Sequence, residues 1–257
     1  MAENSPLDAE ALFAAVRELD RAADFAAAEA GLHNTARAIG MPVLAVSPNV
    51  SWPSFDAHVD AFLRRGGWPD EILSIWWDKN VMLKIPLYIQ CRTRQMPFVT
   101  GDLARTPAGR PELQKIAQAM TRMNVRSLIT LPVHLPRGQI GMVTWGGPQS
   151  VKAANEILSA HRPELIAAGH LFMHAFRSLT GILRSSEEEQ SRLTPREWEC
   201  LRLTAQGCRE EEVATIVGLA STTVRYHLDN VVRKLGASNR ANAVALAAQL
   251  GVLGSIG

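Results

Sequence analysis

Long apolar runs are missing from this 257-residue chain. None approaches the roughly 18 residues a helix needs to cross a bilayer, so no transmembrane helix and no membrane partner are expected. Residues 1–30 lack the basic start, apolar middle and small-residue cleavage site of a signal peptide. Cysteine is scarce. Cys91, Cys200 and Cys208 are odd in number and lack metal-ligand spacing, which argues against a disulfide framework and fits reduced thiols in a cytoplasm.

Catalytic constellations are absent too. The histidines (His33, His58, His134, His161, His170, His174 and His227) are dispersed. His170 and His174 share a helix face, but no Cys, Asp or Glu at ligand spacing joins them, so a surface pair is expected rather than a metal site. There is no Gly-rich phosphate loop, no G-x-S-x-G elbow and no carboxylate pair in apolar surroundings. The acidic pocket and lysine of a phosphoreceiver are also missing. The chain is not expected to be an enzyme, and no cofactor is called for.

What is present is a composition of 47% hydrophobic and 20% charged residues, that of a soluble globular protein. The net charge of +2 says little, but its placement says more. Between Ser221 and Arg240, the bases Arg225, Arg233, Lys234 and Arg240 face one acid, Asp229. The stretch S-S-E-E-E-Q at 185–190 is polar and acidic and reads as a linker. The expected division is a domain at 1–183, a linker at 184–191 and a second domain at 192–257.

The second domain is the more legible. Thr194-Pro195 starts a helix, and Glu197 completes a capping box. Trp198, Leu201 and Ala205 give it an apolar stripe that ends at Gly207. A second helix carries acids at 210–212 in its first turn, turns Val213, Ile216 and Val217 inward, and stops at Gly218. Ser221 reads as the cap of a third helix running to Leu235. Two short helices joined by a tight glycine turn are a helix-turn-helix pattern.

In the third helix, Val224, Leu228, Val231 and Leu235 recur at 4, 3 and 4 and should pack inward. The other face offers Thr222, Arg225, Tyr226, Asp229, Asn230 and Arg233. A guanidinium suits guanine, an amide suits adenine and a carboxylate suits cytosine N4, so Arg225, Asp229 and Asn230 are the expected base readers. Thr222, Thr223, His227, Arg233, Lys234 and Arg240 are placed for phosphates. Burial of Arg225 and Asn230 would defeat this reading.

The block 193–253 resembles the LuxR-type DNA-binding domain almost without gaps. L-T-P-R-E at 193–197, Leu201, Gly207, T-V-R-Y-H-L at 223–228, R-K-L-G at 233–236 and N-R-A-N-A-V at 239–244 carry the likeness. It implies four helices, the last of which helps pair two DNA-binding domains on a palindromic double-stranded operator. RNA polymerase is a further partner if the protein is an activator.

The first domain opens and closes with helical patterns (Ala9–Ile39 and Lys152–Leu183) around β-like runs at 42–46, 127–131 and 140–145. The last two runs flank a hairpin loop with Pro136 and Gly138. Together they make an α+β sandwich of helices around an antiparallel sheet. Aromatics gather here, among them Trp52, Phe55, Phe62, Trp68, Trp76, Trp77, Tyr88, Phe98 and Trp145. They read either as ordinary core or as the lining of a small-molecule cavity.

The segments at 67–76, 94–103 and 125–145 look like the autoinducer-binding domain of quorum-sensing LuxR proteins, a sandwich related to PAS and GAF sensors that holds an acyl-homoserine lactone. The departures fall on positions that the resemblance assigns to ligand contact. Ile72 stands where the family has a lactone-binding Trp, Trp76 replaces a Tyr, and Ile85 replaces the Asp that accepts from the ligand amide, with Pro86 kept beside it. Thr100 replaces a Trp and Leu128 a Gly, while Thr144 keeps the family's hydroxyl. An amide N–H buried against Ile85 forfeits an acceptor at roughly 1–3 kcal/mol. With the donor at Ile72 also gone, lactone binding should fall on the order of a hundredfold. The pocket is therefore expected to be filled by side chains or turned to another small-molecule signal. The whole reads as a homodimeric regulator with a degenerate lactone pocket, or as an antagonist that forms heterodimers with a lactone-responsive relative.

Overall fold

The computed structural model describes residues 9–51, 53–101, 111–135, 139–180 and 193–249. Two compact units part after Thr180. The linker expected at 184–191, Trp52, and the loop residues Pro136 and Gly138 lie outside the described residues.

The first unit is the expected sandwich. Its sheet comprises β1 (Val43–Ser47), β2 (Phe98–Gly101), β3 (Ser127–His134) and β4 (Ile140–Gly147), all antiparallel in the order β1-β4-β3-β2. Helices α1 (Ala9–Asp20) and α2 (Phe25–Ala38) precede β1. Then come α3 (Ala57–Arg65), α4 (Asp70–Trp76), α5 (Lys79–Met82) and α6 (Pro86–Thr93), with α7 (Pro111–Arg122) between β2 and β3. After β4 follow α8 (Val151–Ala160) and α9 (Arg162–Leu179).

The pleat decides which side chains face which layer. Ile129, Leu131, Val143 and Trp145 project to the face covered by α2 and α9, where the Trp145 Nε1–H donates to Thr35 Oγ1 at 3.0 Å. Thr100, Leu128, Thr130 and Thr144 project to the other face, toward α4, α6 and α7.

Two long helical stretches prove to be pairs of helices. Ala9–Ile39 breaks after Asp20, because Asp24 adopts an extended conformation and its carboxylate accepts from Ala27 N at 2.8 Å, starting a new helix. The second breaks at His161, since Pro163 brings no N–H to continue α8 and instead occupies the first turn of α9. Strand β2 was not foreseen. It is four residues long and, among the described strands, pairs with β3.

The second unit has α10 (Pro195–Ala205), α11 (Glu210–Val217), α12 (Ser221–Lys234) and α13 (Arg240–Gln249). The capping box forms as expected: Glu197 N–H donates to Thr194 Oγ1 and Thr194 N–H donates to Glu197 Oε2 at 2.7 Å. Gly218 ends α11 with φ of 68°, a left-handed conformation in which a side chain would be strained. Two expectations fail. Ile216 points outward at 59% exposure, since Val213 and Val217 already occupy the inward face of this short helix and Ile216 lies about 100° round from Val217. Ser221 is not the cap of α12; Ala220 holds that position without a side-chain bond.

Candidate functional site

Helix α12 shows both of its expected faces. Val224, Leu228 and Val231 are buried against the other helices and Leu235 is half-buried. Thr222, Arg225, Tyr226, Asp229 and Arg233 are exposed, with the Arg225 side chain at 64%. Thr223, His227 and Asn230 are half-buried at its margins. The basic, amide-bearing face that duplex reading requires is therefore presented to solvent.

Its charges are not free. Lys234, assigned to phosphate by its sequence position, turns inward: its Nζ lies 2.7 Å from Oε2 of Glu197, a carboxylate only 4% exposed. Burial alone would push the Glu197 carboxyl up, but hydrogen bonds from Lys234 and Thr194 outweigh it and hold the group below the usual carboxylate range. Arg240 bonds Glu210 and, at 2.9 Å, Asp229. Asp229, expected to need a cytosine amino group, has thus found a guanidinium within the fold. Arg225 Nε donates to Glu210 Oε2 at 3.1 Å, and Arg233 Nη2 donates to Asn230 Oδ1 at 2.8 Å. From sequence Glu210 reads only as one of three acids in the first turn of α11, not as an ion-pair partner. Its partners Arg225 and Arg240 lie far along the chain, and only the three-helix packing brings them together.

The first unit holds a partly open cavity of about 310 Å³. Ile72, Trp76, Ile85, Pro86, Thr100 and Leu128 line it together, although they come from α4, the entry to α6, β2 and β3. Thr144 lies on the same sheet face but is not in the lining; its hydroxyl sits 3.2 Å from that of Thr130. The lining is almost wholly apolar. Its polar exceptions include Tyr88, whose phenol burial pushes well above its ordinary value, and Thr100, whose Oγ1 is buried without a hydrogen-bond partner among the described residues. These side chains surround an open space and do not fill it.

Sequence reasoning missed α7, which closes the cavity with Leu113, Ile116, Ala117 and Met120. Their spacing of 3, 1 and 3 is a helical stripe that marks that wall. Of the aromatics weighed between core and cavity, Trp68, Trp76 and Tyr88 belong to the lining, while Phe62 and Trp145 are core. The paired histidines His170 and His174 are both exposed on α9, and among the described residues no group of three or more metal-ligating side chains occurs.

Two families match the chain: "Autoinducer binding domain" over residues 24–176 and "Bacterial regulatory proteins, luxR family" over residues 191–247. The HTH-type quorum sensing-dependent transcriptional regulator RpaR of Rhodopseudomonas palustris is 29% identical over 205 residues, which cover 78% of this chain and 79% of that one. The transcriptional activator protein AhyR of Aeromonas hydrophila is 33% identical over 130 residues, about half of each chain (50% and 49%). Among solved structures, Escherichia coli SdiA superposes with a TM-score of 0.64 at 17% identity, covering 94% of this chain and 97% of that one. SdiA in complex with octanoyl-rac-glycerol gives 0.63 at 20% identity, covering 98% of each. At such identities the likeness is one of fold.

Proposed function

This chain belongs to the LuxR-type family of quorum-sensing transcriptional regulators, and from that premise we propose a sequence-specific DNA-binding regulator whose sensor cavity is not built for ordinary acyl-homoserine lactones. Residues 1–183 would sense and dimerise, 184–191 link, and 192–257 bind DNA as a cytoplasmic homodimer on a palindromic operator. The observation that carries the DNA-binding part is the exposure of Arg225 and its neighbours on α12 opposite the buried Val224, Leu228 and Val231. Arg225 and Asn230 are the base readers; Thr222, Thr223, Tyr226, His227 and Arg233 contact the backbone. RNA polymerase joins the partners if the protein activates.

For the cavity, Ile72 and Ile85 offer neither donor nor acceptor to a lactone amide, and Leu128 takes up space beside them. The lining suits an acyl or other apolar molecule with one hydrogen-bonding head group, which the free Thr100 hydroxyl can meet. Octanoyl-glycerol, the compound named with SdiA, is a reasonable probe of that chemistry.

The deciding experiment is selection of duplexes from a random pool by the purified chain with no ligand added. Enrichment of a palindromic site supports the regulator. Enrichment only after a lactone-responsive relative is mixed in supports the heterodimer reading, and enrichment that requires a lactone overturns the ligand proposal.

A further inference from the structure

Four charged side chains from three helices form one continuous line of ion pairs across the α11–α12–α13 surface. Arg225 bonds Glu210 Oε2, Arg240 bonds the other oxygen of Glu210, and Arg240 Nη2 reaches Asp229 Oδ1 at 2.9 Å. Both oxygens of Glu210 are used, one for each arginine. Arg240, opposed by burial and seconded by Arg225, holds the Glu210 carboxyl below its ordinary range, so it stays charged at neutral pH.

The consequence for the basic stretch 221–240 is large. Arg225 and Arg240 are compensated by Glu210 and Asp229, and Lys234 by Glu197. Among the described residues of that stretch, Arg233 is the one cation without a carboxylate partner. Two further acids, Glu211 and Glu212, are exposed in the same turn as Glu210. Such a surface offers little to an arbitrary phosphate backbone, which supplies most non-specific affinity.

We propose that Glu210 is a specificity-determining residue: it keeps Arg225 and Arg240 from random phosphates and releases Arg225 only to a base edge with two coplanar acceptors. The proposal rests on the DNA-binding reading above. An exposed ion pair is weak and screened, so trading Glu210 for one phosphate gains Arg225 almost nothing. A guanine edge takes the guanidinium bidentately through O6 and N7, a stronger and geometrically matched contact. Arbitrary sequence leaves the arginine clamped, whereas the matched site draws it out.

The test compares the full-length chain with Glu210→Gln on two duplexes, one of random sequence and one selected by the wild-type chain. Glu210→Gln is expected to bind the random duplex about five- to tenfold more tightly near 0.1 M salt and to steepen the plot of log affinity against log salt by about one. The ratio of selected to random affinity should narrow accordingly. Glu211→Gln is the control, because that exposed carboxylate shares the turn but pairs with neither arginine; it should leave the salt slope unchanged. Glu210→Ala provides the same comparison should the glutamine variant lose helix content by circular dichroism. An unchanged salt slope in the Glu210 variants, or identical slopes in the Glu210 and Glu211 variants, overturns the proposal. Failure of the wild-type chain to bind either duplex defeats the regulator reading itself, and this proposal with it.

Discussion

Lys234 Nζ lies 2.7 Å from Oε2 of Glu197, tying the last turn of α12 to the first turn of α10. The same carboxylate accepts from Thr194 N–H, so one buried group closes the cap of α10 and anchors α12. Glu197→Ala removes both and leaves the Lys234 ammonium uncompensated. The expected loss is about 2–3 kcal/mol in the C-terminal unit, measured by thermal unfolding followed by circular dichroism. The pH dependence has a definite sign. Glu197 is held below its ordinary value of 4.5 in the folded state, so its contribution is complete above that pH and shrinks as pH falls through the lower folded-state value. The gap between wild type and Glu197→Ala should therefore narrow below about pH 4.5; a gap that stays constant to pH 3 would show that the pair contributes nothing.

Arg225→Ala separates base reading from backbone attraction. The side chain is exposed and outside the core, so melting should shift little. On the selected operator the variant should lose roughly 1–3 kcal/mol, about 5- to 150-fold in affinity, and blur one base position. On random sequence it should lose little, because Glu210 already occupies this arginine. Arg233→Ala should behave the other way, weakening both duplexes alike and reducing the salt slope by about one. Fluorescence anisotropy over a salt series reads both. Parallel losses in the two variants would remove the division of roles.

The face of α12 was legible because a single helical period links Val224, Leu228 and Val231, and whatever lies opposite must face solvent. The ion pairs crossing it were not, since Glu210 and Arg240 stand 30 residues apart and nothing local joins them. Ile216 misled for a related reason: an eight-residue helix has room for few inward positions, and an apolar residue type does not say which ones are taken. In the sensor unit, the hairpin of β3 and β4 carried its own turn signal, whereas β2 is held by register with a strand far along the chain. Ile72 and Ile85 could be read from sequence as losses of polar contact, and Leu128 as added volume. Whether they filled the pocket depended on α7, which the sequence reading had not recognised.

Close approach of α9 to the sheet fixes another expectation. A Cβ on Gly169 would lie 2.2 Å from Leu131 Cδ2 and 3.4 Å from its Cγ, with the Trp145 ring in ordinary contact at 3.7 Å; Leu131 is itself buried in the core. Gly169→Ala gains up to about 1 kcal/mol of helix propensity but overpacks a buried contact at roughly 1–3 kcal/mol. Overpacking wins. The variant should melt several degrees lower than wild type, and Gly169→Ser should be no better. A Gly169→Ala protein at least as stable as wild type would mean that Leu131 has a second rotamer available beneath α9.

The cavity gives the prediction most directly tied to the signal. A ligand that binds only the folded sensor unit raises its stability by about 2.7 kcal/mol at a hundredfold excess over Kd, roughly 5–10 °C for a unit of this size. Octanoyl-glycerol should produce such a rise, whereas an octanoyl homoserine lactone at equal concentration should fall well short, because Ile85 gives the lactone's amide N–H no side-chain acceptor. The acyl chain is common to both, so the comparison isolates the head group. Met120→Trp, placed to fill the space from α7, should abolish the octanoyl-glycerol effect while the protein still binds DNA. Equal rises for the two compounds would show that Ile72 and Ile85 exact no cost, and the lactone would return as a candidate signal.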